Sequence, residues 1–141
     1  MKCFEWVEHP SDIGFRAYGR DLSEAFENAA LALFEIMTDT SKVDPRREVK
    51  FDLESEDEGA LLYDWLDRFL YLHDSENLLF SKFSVEISKN QGRLKLSAQS
   101  WGETFELSKH LDRTSVKAMT YHMMEIKQET DKCYVQAVVD I

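Results

Sequence analysis

The residues of this chain best suited to holding a cation lie near its two ends. His9 and Asp12 stand between two short apolar runs that are typical of strands, and a last apolar run ends on Asp140 and Ile141. If these strand ends converge, Asp12, Asp140 and the α-carboxylate of Ile141 supply anionic oxygens, which hard divalent cations prefer as ligands. The alternative is that Asp12 bonds backbone amides in a turn, where Asp is common, and that Asp140 is solvated.

Other polar residues with possible chemical roles are scattered through the second half of the chain, at Glu103, His110, Lys117 and His122. The sequence has no Gly-rich phosphate loop and no G-x-S-x-G, H-E-x-x-H or C-x-x-C motif. Covalent nucleophilic catalysis is therefore not indicated. A histidine among Met and Tyr residues, such as His122, is more often a hydrogen-bonded structural residue than a ligand. Lys117 suits a solvated position at a strand edge.

Length and composition favour one domain, residues 1–141, with one core, because the chain has 141 residues and 43% hydrophobic content. No apolar run approaches the roughly 20 residues of a membrane helix, and the start does not resemble a signal peptide. We therefore expect a soluble cytoplasmic protein. Cys3 and Cys133 are too few for a disulfide framework or a zinc site. They are expected to pack as small apolar groups, with a bridge between them left open.

The charge balance is strongly acidic, with a formal net charge of −10 and a pI near 4.8. This argues against strong direct binding of nucleic acid, whose backbone is held mainly by Lys and Arg. The imbalance is greatest over residues 52–76, where nine acids face a single arginine, Arg68. Such a bias usually marks a solvated helix face that aids solubility. The alternative is a surface that docks a basic partner.

Two amphipathic helices are predicted from apolar residues at three- and four-residue spacing. The first spans about 22–37, with Asp21 and Glu24 as a capping box. The second spans roughly 57–73 and is preceded by a second capping-box pattern over Ser55–Glu58. The apolar side of each helix is expected to pack in the core.

Alternating apolar and polar residues predict further strands, at 49–53, 83–88, 94–98, 105–107, 116–127 and 133–141. The turn at residues 90–92 is expected to join the strands at 83–88 and 94–98 in a hairpin. Trp101–Glu103 is expected to interrupt the β structure before the strand at 105–107. The predicted fold class is α+β, a single domain in which two helices pack on a mostly antiparallel β-sheet.

Several short motifs, in the same order over the full length, resemble those of the archease family. They are His9-x-x-Asp12-x-Gly14, Leu22-x-Glu24-Ala25-Phe26, Trp101-Gly102-Glu103, Val116-Lys117-Ala118-x-Thr120-Tyr121-His122 and Asp140-Ile141. No single motif would suffice, but together they are specific. One departure is Pro10–Ser11, where the family commonly has Thr-Ala. Proline fixes φ and removes one amide donor, whereas the neighbouring Asp12 is retained.

The resemblance implies an accessory protein, not an enzyme, whose partner is the GTP- and manganese-dependent tRNA-splicing RNA ligase. That ligase joins an RNA 3′-phosphate or cyclic phosphate to a 5′-hydroxyl. The family is expected to promote guanylylation of the ligase's active-site histidine and multiple turnover. The resemblance also implies a divalent-metal site formed by Asp12, Asp140 and the terminal carboxylate of Ile141. Such oxygen ligands suit calcium, magnesium or manganese.

Two other function classes are compatible with the same residues. One is a stand-alone metal-dependent phosphoester hydrolase with His9 as general base, although the ligand set is sparse for such an enzyme. The other is a chaperone or adaptor whose metal is purely structural. The first predicts turnover by this protein alone, and the second predicts that Asp12→Ala lowers the melting temperature.

Overall fold

The fold is described by a computed structural model covering residues 2–9 and 12–141, without the side chains of Glu8 and His9. In chain order the elements are β1 (Phe4–His9), β2 (Asp12–Gly19), α1 (Leu22–Met37), β3 (Arg47–Ser55), α2 (Glu58–Glu76), β4 (Leu78–Asn90), β5 (Arg93–Thr104), β6 (Ala118–Met119), β7 (Glu125–Glu129) and β8 (Lys132–Asp140). A short 3-10 helix, Thr40–Lys42, lies between α1 and β3. The predicted α+β class is confirmed.

The strands form two antiparallel sheets where the sequence suggested one. The larger sheet has five strands in the order β1-β2-β8-β6, with β7 also paired to β8, and the smaller has the order β3-β5-β4. Helix α1 packs against both sheets, through β2 and β8 on one side and β4 on the other. The two helices and the inner faces of the two sheets therefore enclose one shared core.

Helix α1 begins and ends where the sequence predicts, at Leu22 and Met37. Asp21 caps it by accepting a hydrogen bond from the Glu24 amide at 2.9 Å. Glu24 reaches back to the Arg20 amide at 3.0 Å, one residue earlier than a standard capping box. The alanines of its apolar face, including Ala25 and Ala29, are fully buried and allow close packing on the sheet.

Helix α2 runs from Glu58 to Glu76, three residues past the predicted end. Its cap is Asp57, which accepts from the Ala60 amide at 2.8 Å, so the capping role expected of Ser55 was wrong. Ser55 ends β3 and donates to Asp64 instead. No helix in the described ranges is long and apolar enough to span a membrane.

The hairpin of β4 and β5 is longer than predicted, and Trp101–Glu103 continues β5 instead of breaking it. The predicted strand at 105–107 is absent from the described residues. The expected strand at 116–127 is two short strands, β6 and β7, both paired with β8 as predicted. Residues 120–124 interrupt them, and Met123 has a φ of 54° there. More residues lie between β6 and β7 than between their partners on β8, so this segment arches out of the sheet.

The cysteines are both free. Cys133 is buried in β8, as expected, and burial raises the pKa of its thiol to about 11. Cys3 is exposed, which corrects the expectation that it packs in the core. The open question of a bridge is therefore answered against a disulfide.

Candidate functional site: a carboxylate pair at the sheet end

Asp12 and Asp140 are paired at one end of the five-stranded sheet. Asp12 is the first residue of β2 and Asp140 the last of β8, and the two are direct partners in the antiparallel register. Directly opposed residues in such a pair have Cβ atoms about 5 Å apart on the same face. Two carboxylates at that spacing can share one divalent cation, whose oxygen ligands lie roughly 2–2.6 Å from the metal.

Glycine at position 14 allows the strands to approach behind this pair. A Cβ on Gly14 would lie 3.0 Å from the carbonyl oxygen of Val7 and 3.2 Å from Cγ2 of Val138. Those distances are tighter than ordinary van der Waals contact, so a side chain there would push β1 and β8 away from β2. Gly14 of the His9-x-x-Asp12-x-Gly14 pattern thus has a packing cause.

The end of β8 is held by hydrogen bonds from the preceding edge segment. The Lys117 amide donates to the Asp140 carbonyl at 2.8 Å, and the Thr120 hydroxyl donates to the Val138 carbonyl at 2.8 Å. Ala118 pairs with Asp140 on the side away from β2. These contacts fix the backbone of Asp140 between two neighbouring strands. The Lys117 side chain itself is exposed.

The carboxylate pair is open to solvent. Asp12 is half-buried, Asp140 is exposed, and Ile141 is 38% exposed. Within residues 2–9 and 12–141, no group of three or more His, Cys, Asp or Glu residues is arranged to hold a metal ion. A cation at this pair would therefore need oxygen donors beyond the two aspartates. The donor chemistry fits a hard cation held weakly and accessibly.

Two histidines that the sequence analysis considered, His9 and His122, have different positions relative to this site. His9 is the backbone partner of Asp12, but its side chain lies outside the described residues, as do Pro10 and Ser11. His122 is exposed, and its amide donates to the Thr120 hydroxyl at 3.2 Å. His122 therefore lies on the arched segment after β6.

A second carboxylate, Glu103, is buried in an ionic network far along the chain. It accepts hydrogen bonds from Lys109 Nζ at 2.7 Å and from the Asp44 amide at 2.8 Å. Burial alone would raise its pKa, but these bonds and one from His110 outweigh that effect and lower the pKa to about 2. Arg46 Nε lies 3.5 Å from the other carboxylate oxygen. Glu103 is thus held ionised by several donors at once.

His110 has one defined tautomer in this network. Its Nδ1 accepts a hydrogen bond from the Glu106 amide at 2.9 Å, so the proton must sit on Nε2, which lies 2.9 Å from Glu103. The His110 side chain is fully buried, and these two bonds use both of its ring nitrogens. Glu103 and His110, singled out in the sequence as possible chemical groups, therefore hold the loops around 44 and 105–110 to β5.

The two residues before Glu103, Trp101 and Gly102, also have structural roles. A Cβ on Gly102 would lie 1.8 Å from the Leu79 carbonyl oxygen, so only glycine fits beside the β4 irregularity between Phe80 and Lys82. The Lys82 ammonium sits 4.8 Å above the Trp101 ring. Sequence reasoning did not find Asp44 and Lys109, because nothing in the pattern links residues 59 and 65 positions apart.

Comparison with known proteins gives one consistent result. Residues 4–141 match the model of the Archease protein family (MTH1598/TM1083). The archease of Sulfurisphaera tokodaii is 53% identical to this chain over 143 residues, covering 100% of both chains. The archease of Methanothermobacter thermautotrophicus is 48% identical over 141 residues, again covering 100% of both.

Solved structures are similar as well. The solution structure of Methanobacterium thermoautotrophicum protein 1598 superposes with a TM-score of 0.89 at 48% identity, covering 100% of both chains. The crystal structure of a Thermotoga maritima archease, described as a possible chaperone, superposes with a TM-score of 0.60 over 96% of this chain and 94% of the other. Its sequence identity is 20%, so that likeness concerns the fold alone.

Proposed function

This chain belongs to the archease family, and from that premise we propose that it is an accessory protein of the GTP- and manganese-dependent tRNA-splicing RNA ligase. In this proposal the protein promotes guanylylation of the ligase's active-site histidine and so permits multiple turnover. It is not itself the enzyme. The observation that carries the proposal is the pairing of Asp12 with Asp140 at an accessible sheet end.

The residues proposed to hold a divalent cation are Asp12, Asp140 and the α-carboxylate of Ile141. A bound cation supplies positive charge that can offset the phosphates of a nucleotide. The two aspartates are set at a fixed spacing by the register of β2 and β8, and the Lys117 amide anchors the backbone of Asp140. Because the donors are few and accessible, we expect modest affinity, which permits exchange of the metal with a partner's site.

The charge of the chain supports a protein partner over RNA. With a net charge of −10, the molecule repels a phosphate backbone. An accessory role that acts on the ligase, its nucleotide and its metal does not require this protein to grip RNA. No strong direct nucleic-acid binding is therefore part of the proposal.

A guanylylation assay tests the proposal. Purified ligase is incubated with labelled GTP and manganese, and this protein is added at substoichiometric amounts. We expect labelled ligase and multiple turnovers with the natural chain, and loss of the stimulation with Asp12→Ala. The matched control is Asp112→Ala, which removes an exposed acid from the 105–117 loop and should leave the stimulation unchanged.

The outcomes separate the competing classes. If a folded, metal-loaded sample leaves ligase labelling unchanged, the accessory-factor proposal is wrong. If the stimulation by Asp12→Ala falls only in proportion to the folded fraction, the metal is structural and the protein is an adaptor. Hydrolysis of a phosphoester by this protein alone would instead favour the hydrolase.

A further inference from the structure

A cavity opens between the first turn of α2 and the arched segment that joins β6 to β7. Its volume is about 580 Å³. The lining side chains include Glu56, Asp57, Glu58, Tyr121, Met124 and Ile126. We call it the Tyr121 cleft. It is made by different residues from the carboxylate pair of Asp12 and Asp140.

The aromatic wall of the Tyr121 cleft is exposed and yet held in place. Tyr121 is 58% exposed, and its ring stacks on Tyr63 of α2 with centroids 4.5 Å apart and planes 13° from parallel. Met123 beside it is 46% exposed. A ring fixed by stacking loses little conformational entropy when a ligand packs on it. The exposed ring is therefore preorganised for contact.

The opposite wall is acidic and its carboxylates are also positioned. Asp57 caps α2, Glu58 accepts a hydrogen bond from Gln128, and Glu56 is exposed beside them. Among the described residues, no Lys or Arg forms an ion pair with these three acids. They continue into an adjacent cavity of about 590 Å³, which Asp21 also lines. Four carboxylates and one cation, Lys89, line the two cavities together, so negative charge predominates at the approach to the aromatic ring.

The acidic residues also affect the pKa of Tyr121. Burial, and then the charges of Asp64, Asp57 and Glu56, raise the pKa of the Tyr121 hydroxyl. Burial disfavours a charge of either sign, but the carboxylates that add to this shift would attract a positive group. A cation over an aromatic face is attracted both by the ring and by nearby carboxylates.

We propose that the Tyr121 cleft binds a Lys- or Arg-bearing segment of a protein partner. The guanidinium or ammonium group stacks on Tyr121 and pairs with Glu56, and the aliphatic stem of the same side chain packs on Met124 and Ile126. The net charge of −10 accelerates encounter with such a segment. RNA is disfavoured here, because its phosphates would face three carboxylates.

Peptide binding tests this proposal without ligase, GTP or metal, so its failure is distinct from failure of the proposed function. A short fluorescent peptide of alternating Arg and Gly is titrated with the full chain by anisotropy near physiological ionic strength. We expect Tyr121→Ala to weaken binding about fivefold and Glu56→Gln about threefold. Tyr121→Phe keeps the ring and should keep the affinity.

Matched controls remove similar groups from α2, away from the Tyr121 cleft. Tyr71→Ala deletes a tyrosine that is 64% exposed, and Asp67→Asn removes an exposed acid with the same change of net charge. Neither should change the affinity measurably. If the controls weaken binding as much as Tyr121→Ala and Glu56→Gln do, the peptide senses net charge alone and the proposal fails.

Two further outcomes would overturn it. Equal binding of a peptide with citrulline in place of Arg would mean that the cleft does not recognise the positive charge. A dimer in sedimentation that Tyr121→Ala dissociates would mean that a second copy of this chain covers the cleft. Circular dichroism of each variant verifies folding, and Tyr121→Phe serves as the second variant if Tyr121→Ala does not fold.

Discussion

The carboxylates of Glu103 and Asp140 differ in how many hydrogen bonds and ion pairs the rest of the chain makes to them. Glu103 is buried, and Lys109, His110 and the Asp44 amide all donate to one of its oxygens. Asp140 is exposed, and its side chain makes no hydrogen bond or ion pair within the described ranges. The Glu103 carboxylate is thus bound mainly by donors within the fold, whereas the Asp140 carboxylate remains accessible to a ligand.

This difference in burial and in partners distinguishes acidic residues that stabilise the fold from those that could bind a ligand. Removing one partner from a buried, saturated network leaves the others buried without a counter-charge, which is costly. Removing an exposed carboxylate leaves water to solvate its neighbours, which costs little. Stability should therefore respond to Glu103 and ligand binding to Asp140. Three substitutions test that separation.

The largest expected effect is on stability. Glu103→Ala should lower the free energy of unfolding by about 2 kcal/mol, because the buried His110 side chain and the Asp44 amide lose their shared acceptor, whereas Lys109 keeps Asp44 as a partner. Urea denaturation followed by tryptophan fluorescence measures this change. Glu106→Ala removes an exposed acid from the same loop and should change the unfolding free energy by less than about 0.5 kcal/mol. Similar losses in both variants would contradict a special role for the Glu103 network.

The stability of the fold should depend on pH through the ionisation of Glu103. The pKa of Glu103 is lowered from 4.5 to about 2 in the fold, so the folded state holds the ionised form more strongly than the unfolded chain does. The stabilisation is fully present above about pH 4.5 and is lost as the pH falls towards 2. Denaturation curves between those limits should show a steeper loss for the natural chain than for Glu103→Gln. Parallel pH profiles would contradict this assignment.

The sequence predicted well those features whose cause is local. The apolar stripe of α1 is long and regular and is capped by Asp21, so both ends of the helix could be placed. Asp12 begins a run of strand-forming residues and Asp140 lies at the end of another, but whether these strand ends converge was left open by the sequence. Antiparallel pairing of the first and last segments then brings them into register.

Features that depend on a distant backbone were not predictable. Gly102 has the appearance of a chain break in the sequence, but it is needed because the Leu79 carbonyl would overlap any side chain there. The Glu103 network joins loops whose residues share no periodic pattern. The arch at residues 120–124 was likewise hidden, since Met119, Met123 and Ile126 suit several conformations equally well.

The smallest expected effect on stability comes from the open site. Asp140→Asn should change the free energy of unfolding in metal-free buffer by less than about 0.5 kcal/mol, because the carboxylate is exposed. Calcium or manganese should raise the melting temperature of the natural chain in proportion to the logarithm of its concentration above Kd. Asp140→Asn should shift that titration to at least tenfold higher metal, and Asp112→Asn should not shift it. If the metal stabilises Asp140→Asn and the natural chain equally, Asp140 is not a ligand. The two sites would then differ in burial but not in function.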